Sequence, residues 1–316
     1  MDSADLQKLA KRTRSMREAG FALLFASGLL AIPLVISTLM AKVSPAEPAT
    51  ASIPTAPNAF AAIHLEAKAA IVYDLATGET LYAHNADAQL PLASLTKLLA
   101  VYAALRELSP TTPITIPLAA TQLEAPRAFN EGQTFSLVDL ARLTLTASLN
   151  DGAAAIIEAA AAQQNRSQNE ALASAAAALN LSQTYAVNGS GLDMSTMVSG
   201  GYGSAYDLAR LTGALVAQSP DIAAATTHSS AEAVSEGGTA FSVKNTDPMV
   251  GTIPRLLLSK TGYTDLAGGN LVLVFDAGIG HPVAVVVLGS SQKERFTDGA
   301  ALIAATLAHF AGVASL

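Results

Sequence analysis

Ser94 and Lys97 stand three positions apart in Ser94-Leu95-Thr96-Lys97, shortly after Pro91 and at the head of a helical pattern. Residues at that spacing share one helix face. A serine hydroxyl is a poor nucleophile at neutral pH and needs a neighbour to accept its proton. Lysine can do this only while neutral. A second cation about 5 Å away, at an effective dielectric near 20, disfavours the charged form by roughly 3 kcal/mol, or about 2 pKa units. Lys260 is the expected second cation. It emerges from an apolar strand pattern, LLLSKTG, into a glycine turn, Lys260-Thr261-Gly262, where it needs solvent or an anion such as a substrate carboxylate. Between these two patterns, Ser148-Leu149-Asn150 sets two polar side chains where one helical run stops and another begins. Taken singly, each pattern has a plain structural reading, Ser94, Ser148 and Asn150 as cap residues and Lys97 as a solvated side chain. Their occurrence in order along one chain makes them a chemical unit.

The rest of the composition narrows the chemistry. There is no cysteine, which removes disulfides, thiolate zinc sites and thiol catalysis. The five histidines, His64, His84, His228, His281 and His309, are scattered without an HxH or HxxxH pair, so no metal and no other cofactor is expected. A net charge of −7 and the lack of a Lys/Arg run beyond the N-terminal segment argue against a nucleic-acid partner.

Several elements must position these residues. Short alternating or apolar runs at 69–74, 79–84, 256–263, 270–276 and 282–289 read as strands, the first two joined as a hairpin through Thr77-Gly78. Helical periodicity covers 94–108, 137–149, 152–162, 169–179 and 204–217, and a final apolar helix covers 297–312. The order strands, helices, strands, helix predicts a sheet built from both chain ends, with helices covering it and a helical insertion from Ser94 to about residue 230.

Before this domain, residues 21–40 (FALLFASGLLAIPLVISTLM) carry no charge and as a helix would be roughly 30 Å long, the thickness of a bilayer core. Lys8, Lys11, Arg12, Arg14 and Arg17 precede them, so the positive-inside rule keeps residues 1–20 cytoplasmic and places the remainder outside. Residues 41–59, with Pro45, Pro48, Pro54 and Pro57, read as a Pro/Ala-rich linker, and residues 60–316 as the catalytic domain. A cleaved signal peptide is the alternative, but Ala49-Thr50-Ala51 lies too far beyond the apolar run to serve it well.

The stretch AAIVYDLATGETLYAHNADAQLPLASLTKLLAVYAAL, with AAAALNLSQTYAVNGSGLDMST, SAYDLARL, SKTGYTDLAGGNLV and VVLGSSQKERFTDGAALI, resembles the low-molecular-weight penicillin-binding proteins. These are serine D-alanyl-D-alanine carboxypeptidases, and their motif trio is shared with serine β-lactamases. The resemblance runs from about residue 66 to the C-terminus. It implies an α+β fold, with a five-stranded antiparallel sheet flanked by helices and an all-helical subdomain, here preceded by one transmembrane helix. It implies an acyl-enzyme on Ser94, Lys97 as base, Ser148 as proton relay to the leaving D-alanine, and Asn150 as a substrate hydrogen-bonding group. Lys260, Thr261 and Gly262 would receive the terminal carboxylate, and the N–H groups of Ser94 and Tyr263 would hold the oxyanion. Peptidoglycan stem peptides ending in D-Ala-D-Ala are the implied substrate, and β-lactams the implied covalent inhibitors.

Three rivals stand beside the carboxypeptidase reading. An endopeptidase of the same family would cut crosslinks. A class A β-lactamase needs a deacylating glutamate in an ExxLN loop, and neither Glu158 nor Glu170 begins one. An inactive peptidoglycan-binding module would have no use for an intact Ser94, Lys97, Ser148 and Lys260.

The full chain is expected to fractionate with membranes and to keep residues 1–41, whereas a chain starting near Asn58 should be soluble and active. Intact-mass measurement checks this, since a mature form starting between residues 42 and 60 would mark a signal peptide instead.

Overall fold

A computed structural model describes Lys11 and residues 58–312 except 279. The apolar run at 21–40 and the linker before residue 58 lie outside the described residues. Among the described residues, no helix is long and apolar enough to cross a membrane.

Five long strands and six helices carry the architecture. They are β1 (Ala69–Asp74), β2 (Thr80–His84), α1 (Thr96–Glu107), α2 (Leu137–Ala147), α3 (Asn150–Gln163), α4 (Gln168–Ala178), α5 (Ala205–Gln218), β3 (Leu256–Thr264), β4 (Gly268–Asp276), β5 (Pro282–Ser290) and α6 (Glu294–Phe310). The sheet order is β3-β4-β5-β1-β2 with every pair antiparallel, so both chain ends build it as expected.

The strands β4 and β5 are unbroken apolar runs because both faces of the sheet are covered. On one face, Val272, Val274, Ala284 and Val286 join Ile71 and the helical core. On the other, Leu271, Leu273, Val285 and Val287 pack with Leu302 and Ile303 of α6. Helix α1 is buried all round from Thr96 to Leu105, which is why it shows no polar stripe. Side chains projecting from its first turn therefore meet protein instead of water.

The expected all-helical subdomain needs correction. Short antiparallel pairs join Pro113–Thr115 to Thr134–Ser136, and Ser230–Val234 to Ala240–Lys244. Ile114 and Phe135 from the first pair are buried, and Phe135 meets Phe129 and Phe241 with ring centroids 4.9 and 5.1 Å apart. Leu90–Pro91, Gly201–Gly203 and Tyr185–Ala186 form a third small sheet. Strands of two or three residues are too short to establish an alternating period in sequence.

Ala93, the residue before Ser94, has φ of 49°, a left-handed conformation unusual for alanine. Gly191, at φ +76°, lies against it, and a Cβ there would stand 1.9 Å from the Ala93 carbonyl oxygen. Gly191→Ala should therefore displace the Ala93–Ser94 turn, lowering stability by about 1–3 kcal/mol and slowing acylation of Ser94. Thermal unfolding and the rate of labelling by a fluorescent penicillin measure both effects.

Candidate active site

A one-turn 3-10 helix, Ala93–Leu95, hands over directly to α1, which places Ser94 and Lys97 one turn apart at the helix entrance. Lys97 is fully buried. Its Nζ donates to Ser94 Oγ at 2.7 Å and to the Ser190 carbonyl oxygen at 2.7 Å. Burial drives its pKa well below the usual lysine value, the charge of Lys260 lowers it further, and Asp151 opposes both. The neighbouring cation invoked from sequence is therefore the second cause, and removal from water the first.

Helix α2 ends at Ala147, and Ser148 closes it in a left-handed conformation at φ 60°. A non-glycine residue there is strained, and strain of this kind collects at functional sites. The turn brings Ser148 Oγ to Lys260, whose Nζ donates to it at 2.8 Å and to the Thr261 carbonyl oxygen at 2.7 Å. Asn150 opens α3. Its Nδ2 donates to the Glu124 carbonyl oxygen at 2.8 Å, and its buried Oδ1 has no hydrogen-bond partner among the described residues. Asp151 next to it receives the N–H groups of Ala128 and Phe129, both at 2.8 Å, and so ties the 124–130 loop to the Ser148-Leu149-Asn150 motif.

Lys260 does not emerge into a turn. The strand β3 continues to Thr264, so Lys260-Thr261-Gly262 is mid-strand and Lys260 is 1% exposed. Burial, and next the charge of Arg295, lower its pKa from 10.5 to about 7. Thr261 is buried, and its Oγ1 lies 2.6 Å from Thr246 Oγ1. Gly262 is needed because β3 passes close to the nucleophile: a Cβ there would lie 3.0 Å from the Leu92 carbonyl oxygen and 3.3 Å from the Ser94 nitrogen.

β3 is an edge strand, and successive peptide groups along a strand point alternately toward the neighbouring strand and away from it. The Ser259 N–H points away, donating to Thr226 Oγ1 at 2.9 Å. By the same alternation, the Tyr263 N–H faces the open edge where Ser94 sits. Tyr263 itself is 44% exposed at the rim. Thr264 Oγ1 closes the rim by donating to Asp193 Oδ1 at 3.2 Å. A cavity of about 490 Å³ opens beside Ser190 and Asp193, with Glu124 and Glu158 also on its walls.

The fold thus gathers Ser94 from the 3-10 helix, Lys97 from α1, Ser148 from the end of α2, Asn150 from α3, and Lys260, Thr261, Gly262 and Tyr263 from β3. Sequence reasoning missed Ser190, which contributes a main-chain oxygen that no side-chain pattern reports. It also missed Asp151 and Arg295, although Arg295 lies in the quoted stretch QKERFTDG. Among the described residues, no cluster of three or more His, Cys, Asp or Glu could hold a metal.

The D-alanyl-D-alanine carboxypeptidase family matches residues 54–292. A D-alanyl-D-alanine endopeptidase of Pseudomonas aeruginosa is 29% identical over 278 residues, covering 85% of this chain and 86% of the relative. Penicillin-binding protein D2 of Listeria monocytogenes, solved with ampicillin bound, superposes with a TM-score of 0.66 at 28% identity, over 77% of this chain and 98% of that one. A D-alanyl-D-alanine carboxypeptidase of Mycobacterium tuberculosis gives a TM-score of 0.66 at 27% identity, over 79% and 92%. With the motif trio assembled in one buried site and the family match spanning most of the folded chain, this protein belongs to the D-alanyl-D-alanine carboxypeptidase family.

Proposed function

We propose that the protein removes the terminal D-alanine of peptidoglycan stem peptides through an ester on Ser94. The observation that carries this reading is the 2.7 Å contact between Ser94 Oγ and a wholly buried Lys97 whose pKa burial depresses. Ser94 Oγ attacks the penultimate D-alanine carbonyl carbon, and its proton passes to neutral Lys97 Nζ. The carbonyl oxygen becomes negative between the N–H groups of Ser94 and Tyr263. When the C–N bond breaks, the departing D-alanine nitrogen takes a proton by way of Ser148 Oγ. Water then adds to the ester, the bond to Ser94 Oγ breaks, and the shortened peptide leaves with the hydroxyl restored. Protonated Lys260, with Thr261 and Gly262, receives the terminal carboxylate, and the free Oδ1 of Asn150 accepts a hydrogen bond from a substrate amide.

The endopeptidase name of the Pseudomonas relative supports a second reading, in which the same acyl transfer opens a crosslink. The ampicillin- and cefotaxime-bound forms of the Listeria protein support β-lactam acylation of Ser94 here. Asp151, the carboxylate nearest the motif in sequence, is occupied by three backbone N–H groups and is poorly placed to activate a deacylating water. The charge-flanked run at 21–40 supports a single-pass anchor with the catalytic domain outside the membrane.

Mass spectrometry of muropeptides after digestion should show loss of one alanine from pentapeptides, with crosslinked dimers unchanged. Conversion of dimers to monomers would favour the endopeptidase. Ser94→Ala should abolish both turnover and penicillin labelling, whereas Ser148→Ala should keep some acylation and slow the later proton transfers.

The buried lysines also set a trade between activity and stability. A group whose folded pKa is lowered destabilises the fold once its proton is needed. For Lys260 that cost is absent above about pH 10.5, grows as pH falls, and is complete below about 7. Lys260→Met should therefore abolish turnover yet raise the midpoint of thermal unfolding at pH 7, by the equivalent of about 1–4 kcal/mol. The gain should shrink toward pH 10, and calorimetry across that range checks the sign.

A further inference from the structure

Arg295 has no role in the chemistry described so far. It is the second residue of α6 and is 7% exposed, yet its guanidinium reaches back to the catalytic strand, where Nη1 donates to the Gly262 carbonyl oxygen at 2.6 Å. Its Nε has no hydrogen-bond partner among the described residues. Among the described residues, no carboxylate makes an ion pair with it. Asp247 acts on it through space, but the oxygens of Asp247 accept from Ser259 Oγ at 2.6 Å and from the Met249 N–H at 2.7 Å. Arginine keeps its proton even when burial lowers its pKa, as it does here. A buried cation whose guanidinium carbon lies 4.7 Å from the Phe296 ring centroid and whose hydrogen bond goes to one backbone carbonyl is costly to the fold, which directs attention to that carbonyl.

The Gly262 carbonyl is half of the peptide unit whose other half is the Tyr263 N–H. In a planar trans peptide the C=O and N–H bonds point in opposite directions. A guanidinium fixed on the oxygen therefore keeps the N–H aimed at the open edge of β3, beside Ser94. A charge-assisted hydrogen bond to the oxygen also draws electron density from the amide and strengthens its N–H as a donor.

We propose that Arg295 is a positioning residue for the oxyanion: acting through the Gly262 carbonyl, it orients and polarises the Tyr263 N–H that receives the negative oxygen during acylation of Ser94. The inference rests on the reading of Ser94 as nucleophile. A brace that merely pins α6 to β3 would need the hydrogen bond but not the charge.

The test compares the full-length wild type with Arg295→Gln and Arg295→Lys. It uses steady-state turnover of a D-Ala-D-Ala peptide and infrared spectroscopy of the penicillin adduct, whose ester carbonyl occupies the oxyanion site. Arg295→Gln, which can still donate a hydrogen bond, should lower kcat by roughly 10- to 100-fold and leave KM within about threefold. Its ester carbonyl band should move to higher frequency as the donor weakens. Arg295→Lys, which restores the charge, should recover most of the rate and return the band toward the wild-type position. Arg295→Met, which fills the space without charge, gives the same readout should Arg295→Gln not fold. An unmoved carbonyl band in the neutral variants, or kcat equal to that of the wild type, would overturn the proposal. Failure of the wild type to form an adduct on Ser94 would instead overturn the nucleophile assignment, and this inference with it.

Discussion

A lysine ammonium taken out of water must find an anion or give up its proton, and this protein buries two of them close enough to interact. Among the described residues, neither has a carboxylate as a direct partner. Lys97 and Lys260 each rest on one hydroxyl and one main-chain carbonyl, from Ser190 and Thr261. Such acceptors satisfy the N–H donors without fixing the positive charge. Asp151 would raise the pKa of Lys97, but its oxygens are already engaged by backbone N–H groups. Much of the surrounding fold can be understood from this arrangement. The all-round burial of α1 keeps water from Lys97, and the continuation of β3 past the motif keeps it from Lys260.

Around these lysines the backbone departs from comfortable geometry. Ala93 and Ser148 both adopt positive φ, one immediately before the nucleophile and the other at the hydroxyl that touches Lys260. Packing holds them there: Gly191 leaves room for the Ala93 carbonyl, and the Ser148 N–H is retained by the Thr144 carbonyl of the helix it ends. Positive φ occurs elsewhere too, at Asn85, Asn165, Asn180 and Arg255, and the sheet beneath shifts register at Val72/Tyr73, Leu256/Leu258 and Gly269/Leu271.

The central strands of the sheet were legible because they hold apolar runs such as LVLVF and VAVVVL, and the helices because their periodicity spans two or more turns. The short pair containing Ile114 and Phe135 was not, since three residues carry no period. Of the site, the side chains in sequence motifs were legible, and the groups that complete it were much less so. The Ser190 carbonyl has no side-chain signature. Arg295 looks like an ordinary charge in a polar stretch until the fold brings it to Gly262. The location of Lys260 was misjudged because a glycine after an apolar run usually marks a turn, whereas Gly262 serves close approach to Ser94. The cause of the Lys97 shift was misordered because sequence lists neighbouring charges but not the absence of water.

Because β1 pairs with β5, Ala69 meets Leu288 across roughly 200 intervening residues. The hairpin of β1 and β2 emerges first during synthesis and waits, its inner edge unpaired, for nearly the whole chain. Helices α1 to α5 are rich in local contacts and can form in the interval, but the site cannot, since Lys260 and Arg295 arrive only with the last third of the sequence. Folding of the catalytic centre is thus a late event with high contact order. A chain halted before β3 would carry Ser94 and Lys97 without the strand that brings Lys260 to Ser148.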